Sequence, residues 1–260
     1  MAPPQRPLAL VTGGWRRIGA AIARALAADG WDLALHAHHR DGFDPALAAQ
    51  LEQAGAAVHG IAGDLIDAGA PDLVLREAIN AFGRAPSLLV NSASIFRDDR
   101  LATLTAESLD AHMRINLYAP LLLTRAFAER LGDGPNDPGA SVVMLLDQRV
   151  RNPVPDQLAY SLSKQALHAS IRNLARDLAP RIRVNGVAPG LILPTADYDD
   201  AQWDRLAALM PLERLPAPAE IADAVVWLAR APSVTGQTLF IDSGANLESY
   251  ARDFVYLGKP

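Results

Sequence analysis

Cysteine is absent from all 260 residues. That excludes disulfides, thiolate nucleophiles and thiolate metal sites, and it fits a reducing compartment, so a cytoplasmic protein is expected. No apolar run approaches the roughly 20 residues that span a bilayer, so no membrane segment is expected. Residues 1–7 run straight into a strand-like segment and do not read as a signal peptide. An excess of positive charge is also missing. The net charge is −5, the sequence pI is near 5.7, and no basic stripe stands out, which argues against nucleic acid as a partner. His59, His112 and His168 have no metal-ligand spacing, and no metal site is expected.

Lysine is almost missing. Only two of the 24 basic residues are lysine, and one of them, Lys164, stands four residues after Tyr160. On a helix that spacing puts phenol and ammonium on one face. A cation there favours phenolate, which lowers the tyrosine pKa from its ordinary ~10 toward the working pH, as a general acid requires. Lysine offers a compact, tunable charge where arginine is a rigid, permanently charged fork. A blander reading is a surface pair on an amphipathic helix, and the surroundings decide between the two.

Short apolar runs alternate with helical patterns along the whole chain. Strands are expected at 8–12, 32–36, 57–62, 87–91, 141–146, 183–187 and 238–241, most of them apolar on both faces as in a buried parallel sheet. Helices are expected at 18–28, 45–54, 71–82, 106–130, 157–178, 201–210 and 219–229. The alternation implies an α/β fold: a Rossmann-like, doubly wound parallel sheet of about seven strands with helices on both faces. No repeat or linker divides the chain, so residues 1–260 read as a single domain, with 132–139 a surface loop.

The first strand runs into Thr12-Gly13-Gly14-Trp15-Arg16-Arg17-Ile18-Gly19 and then an alanine-rich helix. Glycines at such a turn let backbone approach a pyrophosphate, and the helix N-terminus supplies N–H donors, although glycine turns also serve simple packing. The second strand ends in His36-Ala37-His38-His39-Arg40, with no acid before Asp41. An acid there would bond a ribose 2′-hydroxyl and repel a 2′-phosphate, so the basic neighbourhood favours NADP(H) over NAD(H). The alternatives are a solvated polar loop or a histidine cluster holding adventitious metal.

These residues resemble the short-chain dehydrogenases/reductases. The turn is similar to the family's Thr-Gly-x-x-x-Gly-x-Gly. Asp64-Leu65 matches its adenine-side contact, and Asn91-Ser92-Ala93-Ser94 stands where Asn-Asn-Ala-Gly is usual. Asn116 matches its structural and catalytic asparagine, Tyr160 and Lys164 its catalytic pair, and Pro189-Gly190 its motif after the sixth strand. The resemblance implies cofactor contacts from Gly13, Arg16, Arg17, Ile18, Gly19, His36, His38, His39, Arg40, Asp64, Leu65, Asn91, Ala93, Ser94, Tyr160, Lys164, Pro189, Gly190 and Leu191. It also implies a homotetramer packed through the fourth and fifth helices and the last strand.

Three departures resemble the pteridine reductase branch, which includes bacterial dihydromonapterin reductases. Arg17 replaces the middle glycine, Asp147 stands thirteen residues before Tyr160 where the family has serine, and Phe96 follows Ser94 by two. The resemblance implies NADPH-dependent reduction of a C=N bond in a pterin-like small molecule. Tyr160 would donate the proton, Lys164 would tune it, Asp147 would orient and help protonate the ring, and Asn116 would support a water relay. Ser94 and Phe96, with Asp147 and Tyr160, would frame the substrate. Blander readings remain: Asp147 as a helix cap or a partner of Arg149 or Arg151, Phe96 and Trp203 as core. A carbonyl or 3-oxoacyl reductase would be expected to carry serine at 147, and a non-catalytic NADP-sensing protein to have lost Tyr160, Lys164 or Asn116. Asp242-Ser243-Gly244 departs from the family's Asp-Gly-Gly, and the tail from there to Pro260 has no assigned role.

Overall fold

Seven short, leucine- and valine-rich runs pair edge to edge into one parallel sheet. The computed structural model describes residues 5–131, 139–194 and 198–257. Its strands are β1 Leu8–Val11, β2 Asp32–Ala37, β3 Val58–Ala62, β4 Leu88–Asn91, β5 Ser141–Leu145, β6 Arg183–Pro189 and β7 Thr238–Ile241, in the order β3-β2-β1-β4-β5-β6-β7 with every pairing parallel. The helices are α1 Arg17–Ala28, α2 Pro45–Gln53, α3 Ala70–Phe82, α4 Ala106–Met113, α5 Ala119–Arg130, α6 Leu158–Asp177, α7 Asp200–Leu209 and α8 Pro218–Arg230.

Side chains alternate across a strand, so each buried strand feeds two cores. In β1, Ala9 and Val11 meet Ile22 and Leu26 of α1, Leu47 of α2 and Val225 of α8 in one core. Leu8 and Leu10 meet Val74 of α3, Phe127 of α5 and Ile171 of α6 in the other. Each fully buried aliphatic side chain contributes about 1.5–3 kcal/mol. A third, small cluster joins Leu206 of α7 and Met210 to Ala245 and Phe254, so the chain's last segment packs on α7.

The expected strands and helices are present, with ends shifted by a residue or two. Pro189 closes β6 rather than following it. The expected helix over 106–130 is interrupted: α4 and α5 are separated by a π turn, Arg114–Tyr118, in which the Ala119 N–H reaches back to the Arg114 carbonyl. Pro120 supplies the reason. It has no N–H for the Asn116 carbonyl, and its ring would clash with that carbonyl in an α ladder. Residues 132–138 of the expected 132–139 loop lie outside the described residues.

Strand order reverses between β1 and β4, and the loops leaving them part to open a crevice at the carboxyl ends of the strands. Gly19, in the first turn of α1, sets how closely that helix sits on the turn before it. A Cβ there would lie 2.0 Å from the Gly13 carbonyl oxygen and 3.0 Å from the Gly14 Cα, both backbone atoms. Overpacking costs about 1–3 kcal/mol, which in a chain of this size is a fall of roughly 3–10 °C in Tm. Gly19→Ala should show that loss in a thermal scan. Gly69→Ala, where nothing lies within 4 Å of the added carbon, should leave Tm nearly unchanged.

Candidate active site

A cleft of about 760 Å³ runs along the carboxyl ends of the strands. Its wall brings together Gly13, Arg16, Arg17, Ile18 and Gly19 from the β1–α1 turn, His36 and His38 from β2 and its end, and Asp64 and Leu65 after β3. Ala93, Ser94 and Phe96 follow β4, Asp147 follows β5, Tyr160 and Lys164 project from α6, and Pro189, Gly190 and Leu191 close β6. Asn91, Asn116, His39 and Arg40 are not on the wall. Asn91 is buried with its amide 3.3 Å from Met144 Sδ, and His39 and Arg40 are exposed beyond the rim.

The turn is shaped for a phosphate-bearing cofactor. Helix α1 starts from an extended Arg16 with no side-chain cap and no acid in its first turn, which leaves N–H donors and the positive end of the helix dipole toward the cleft. Gly13 has φ +64°, and a Cβ on it would be 3.2 Å from the Ala93 Cα, so two backbones meet where a side chain would block the way. The Thr12 hydroxyl holds that approach by accepting the N–H groups of Ser92 and Ala93. Arg17 keeps a left-handed φ of +51°. For a residue with a Cβ this costs about 1–2 kcal/mol, and such strain collects at sites where ligand contact repays it.

The histidines divide. His36, expected to add charge or a donor for a phosphate, is buried and its Nε2 lies 2.8 Å from the Gly63 carbonyl. Burial lowers its pKa, so it is a neutral strut between β2 and the loop after β3. His38 does face the cleft, 3.2 Å from the Asp64 carboxylate, with its ring stacked on His39 at 3.7 Å. Burial would raise the Asp64 pKa, but the Ile66 N–H and His38 outweigh it and hold the carboxyl below its usual range.

At the other end, Tyr160 Oη donates to Asp147 Oδ2 at 3.0 Å. The blander readings of Asp147 hold at the same time. Its Oδ1 caps the short turn Gln148–Val150 by accepting the Arg149 N–H at 2.8 Å, and lies 3.4 Å from Arg149 Nε. The half-exposed Phe96 ring stands edge-on to Tyr160, centroids 4.9 Å apart. Asn116 sits in the π turn, fully buried. Its amide oxygen accepts from Ser94 Oγ and the Ile95 N–H, and its nitrogen donates to the Ile95 carbonyl and Ser163 Oγ, tying the loop after β4 to α6.

The expected lowering of the tyrosine pKa is overturned. Burial, and then the Asp147 carboxylate, push Tyr160 well above its ordinary value, with Arg149 opposing. Lys164 is on the same helix face, but its ammonium donates to the Leu145 carbonyl at 2.7 Å and lies 5.8 Å from the centre of the Tyr160 ring. Burial lowers Lys164 to about 8, with Asp147 opposing. Tyr160 is thus a phenol aimed at a carboxylate, with a lysine of lowered pKa behind it.

Sequence reasoning missed Arg149 as a member of the site, and with it Asp253, Phe254 and Val255, which line the cleft from the C-terminal tail. The available signal was an arginine two residues after Asp147, since arginine is the side chain suited to buried ion pairs. Trp203 is half-buried against Tyr198, which does line the cleft. His59 pairs with Glu77, and the buried His112 with the Ser108 carbonyl. Among the described residues there is no cluster that could hold a metal ion, and no helix is long and apolar enough to cross a membrane.

Fold and site together define a nucleotide-dependent oxidoreductase. Residues 14–246 match the family described as enoyl-(acyl carrier protein) reductase, and the chain belongs to the short-chain dehydrogenase/reductase family. It is 32% identical over 247 residues to dihydromonapterin reductase of Enterobacter sp. strain 638, covering 94% of this chain and 98% of that one. Among solved structures it resembles FolM alternative dihydrofolate reductase 1 from Brucella canis, complexed with NADP, at 34% identity and TM-score 0.84, covering 93% and 95% of the two chains. It also resembles a 3-oxoacyl-[acyl-carrier protein] reductase from Brucella melitensis at 31% identity and TM-score 0.85, covering 95% and 100%.

Two outcomes test the catalytic end. Tyr160→Phe should lower kcat by about 10²-fold or more with cofactor binding nearly intact, because general acid catalysis is worth that much. The rate–pH profile of kcat/KM should carry an alkaline limb near 8, where the Lys164 charge is present below and lost above. In Lys164→Arg, whose charge persists, that limb should disappear while activity stays low. A limb unmoved by the substitution would assign it to another group.

Proposed function

We propose that the protein is an NADPH-dependent reductase of a pterin-like small molecule, a dihydropterin or related oxidised pteridine. The observation that carries this reading is Asp147: a carboxylate at the carboxyl end of β5, its Oδ2 on the Tyr160 hydroxyl, with the exposed Phe96 ring beside it. A carboxylate brings two acceptor oxygens to an amino-pyrimidinone edge and, once protonated, can pass that proton to a ring nitrogen, where a serine hydroxyl brings one oxygen and is too weak an acid. The names of the dihydromonapterin reductase and FolM relatives support the same class.

The bound cofactor supplies the hydride to a C=N carbon. Gly13, the α1 N-terminus and Arg17 would hold its phosphates, His38 and Asp64 would face its adenosine end, and Lys164 its nicotinamide ribose. Tyr160 would deliver the proton to the adjacent nitrogen, Asp147 would orient the ring, and Phe96 would stack on it. Asn116 holds the Ser94 loop against α6, and a water relay through it is part of the same reading. A homotetramer in the cytoplasm, each protomer a single domain, completes it. Tyr118, Leu162 and Trp227 are large side chains left exposed on the π turn, α6 and α8. The second reading is a carbonyl or 3-oxoacyl reductase, favoured by the likeness to the Brucella melitensis protein.

Turnover of NADPH against dihydropterins, dihydrofolate and simple ketones separates the two. Asp147→Ser should lower the ratio of kcat/KM for a dihydropterin to that for a ketone by at least tenfold, with NADPH binding preserved. An unchanged ratio would remove the main support for the pteridine. For the cofactor, Arg17→Ala should cost NADPH at least tenfold in affinity and NADH little, since a charged hydrogen bond is worth about 1.5–3 kcal/mol. Equal efficiency with both cofactors in the unmodified protein would sink the NADPH preference.

A further inference from the structure

Arg149 has no part in the reaction just described, yet its side chain joins several elements at the centre of the site. Its Nη1 donates to Gln157 Oε1 at 3.0 Å, its Nη2 lies 3.0 Å from Asp253 Oδ2, and its Nε lies 3.4 Å from Asp147 Oδ1. The guanidinium carbon also lies 5.3 and 5.4 Å from the centres of the Phe96 and Tyr160 rings. Only 9% of the side chain is exposed.

Asp253 reaches this position because the tail is fastened on both sides of it. Arg252 forms a two-pronged pair with the buried Asp156, which also accepts the Asp253 N–H at 2.9 Å. Beyond it, the Gln202 amide donates to the carbonyls of Phe254, Val255 and Leu257, and Phe254 is buried against α7. The Asp253 carboxylate is itself oriented, since Oδ1 accepts the Val255 N–H at 2.9 Å and leaves Oδ2 for Arg149. A carboxylate with 3% of its surface exposed is costly to keep, and burial pushes its pKa up, with Arg149 opposing.

We infer that Asp253 is a positioning residue for the reaction. Through Arg149 it fixes the Asp147 carboxylate, and through Asp147 the direction of the Tyr160 hydroxyl. The C-terminal segment is therefore a working part of the active site. Asp147 has two oxygens with two tasks. The Arg149 backbone N–H holds Oδ1, and the guanidinium adds the charge of its Nε at 3.4 Å without a hydrogen bond, so that Oδ2 is the oxygen presented to Tyr160. Without Asp253 the guanidinium keeps Gln157 on Nη1 but loses the carboxylate that balances Asp147, so its charge is drawn toward Asp147 and pulls the carboxylate from the phenol. The inference rests on the reading of Asp147 and Tyr160 as acting groups, not on the identity of the substrate.

The test is a double-mutant cycle on kcat at saturating NADPH with a dihydropterin, using Asp253→Asn, Asp147→Asn and the pair. Asp253→Asn alone should lower kcat about tenfold and leave the NADPH dissociation constant, read by fluorescence, within twofold. In the Asp147→Asn background the same change should cost less than twofold, because the group it positions is gone. Losses that multiply would overturn the inference. So would a loss of kcat matched by equal losses in NADPH affinity and Tm, which would mark Asp253 as a fold anchor only. If Asp253→Asn does not fold, Arg149→Lys carries the same cycle: it keeps the charge without the fork, and its cost should likewise vanish beside Asp147→Asn. If the unmodified protein reduces no dihydropterin, the substrate reading fails, and the cycle run on the ketone it does reduce still requires the non-additivity, since Tyr160 meets Asp147 whatever the substrate.

Discussion

An arginine does not give up its charge inside a protein, so a buried guanidinium has to be met by carboxylates and acceptors placed around it. Arg149 imposes that requirement on three separate stretches of chain. Asp147 lies at the end of β5, Gln157 at the start of α6, and Asp253 in the tail. Gln157 adopts a left-handed φ of +48° there and bonds Asp98 through its amide, while the Asp99 carboxylate and carbonyl receive the first N–H groups of α6. Where α6 begins decides where Tyr160 and Lys164 stand, one and two turns further on. Meeting one charge thus ties the Asp147 carboxylate, the helix that carries the phenol and the tail into one unit.

The cofactor end obeys a different constraint, that of backbone approach. At two positions where the family has glycine, this chain has Arg17 and Ser243, and both retain the left-handed conformation that glycine adopts freely, at φ +51° and +55°. The conformation is dictated by the turn rather than by the residue. At 17 the return is a guanidinium in the cleft. At 243 the return is local: the preceding Asp242 receives the N–H groups of Gly244 and Asn246, which launches the tail toward the site.

Most of the fold was legible because it rests on local rules: period-2 and period-3.6 patterns, glycine turns and proline stops. The break in the long helix was legible in principle too, since Pro120 stands four residues after Asn116. The site was legible where its residues sit in short motifs, and illegible where it depends on tertiary contact. Asp253 is far from Arg149 in the chain, and nothing local to either announces the pair. His36 does line the cleft beside His38, but a basic run could not show that its ring is buried against the Gly63 carbonyl, where the neutral form is favoured. The spacing of Tyr160 and Lys164 placed both on one face, but could not show that the Leu145 carbonyl receives the ammonium.

The corrected pKa direction bears on the direction of the chemistry. A site built to oxidise needs a phenolate to receive a proton, and burial beside Asp147 disfavours that form of Tyr160. Reduction needs the proton in place before hydride arrives, and the raised Tyr160 pKa keeps the phenol protonated, as the proposed reduction requires. The cost is a weaker acid, but under the proposed function the acceptor is a nitrogen made strongly basic by hydride addition to its neighbouring carbon, so transfer to it would remain downhill. Two buried cations flank the Tyr160 ring, Lys164 with its ammonium 5.8 Å and Arg149 with its guanidinium carbon 5.4 Å from the ring centre.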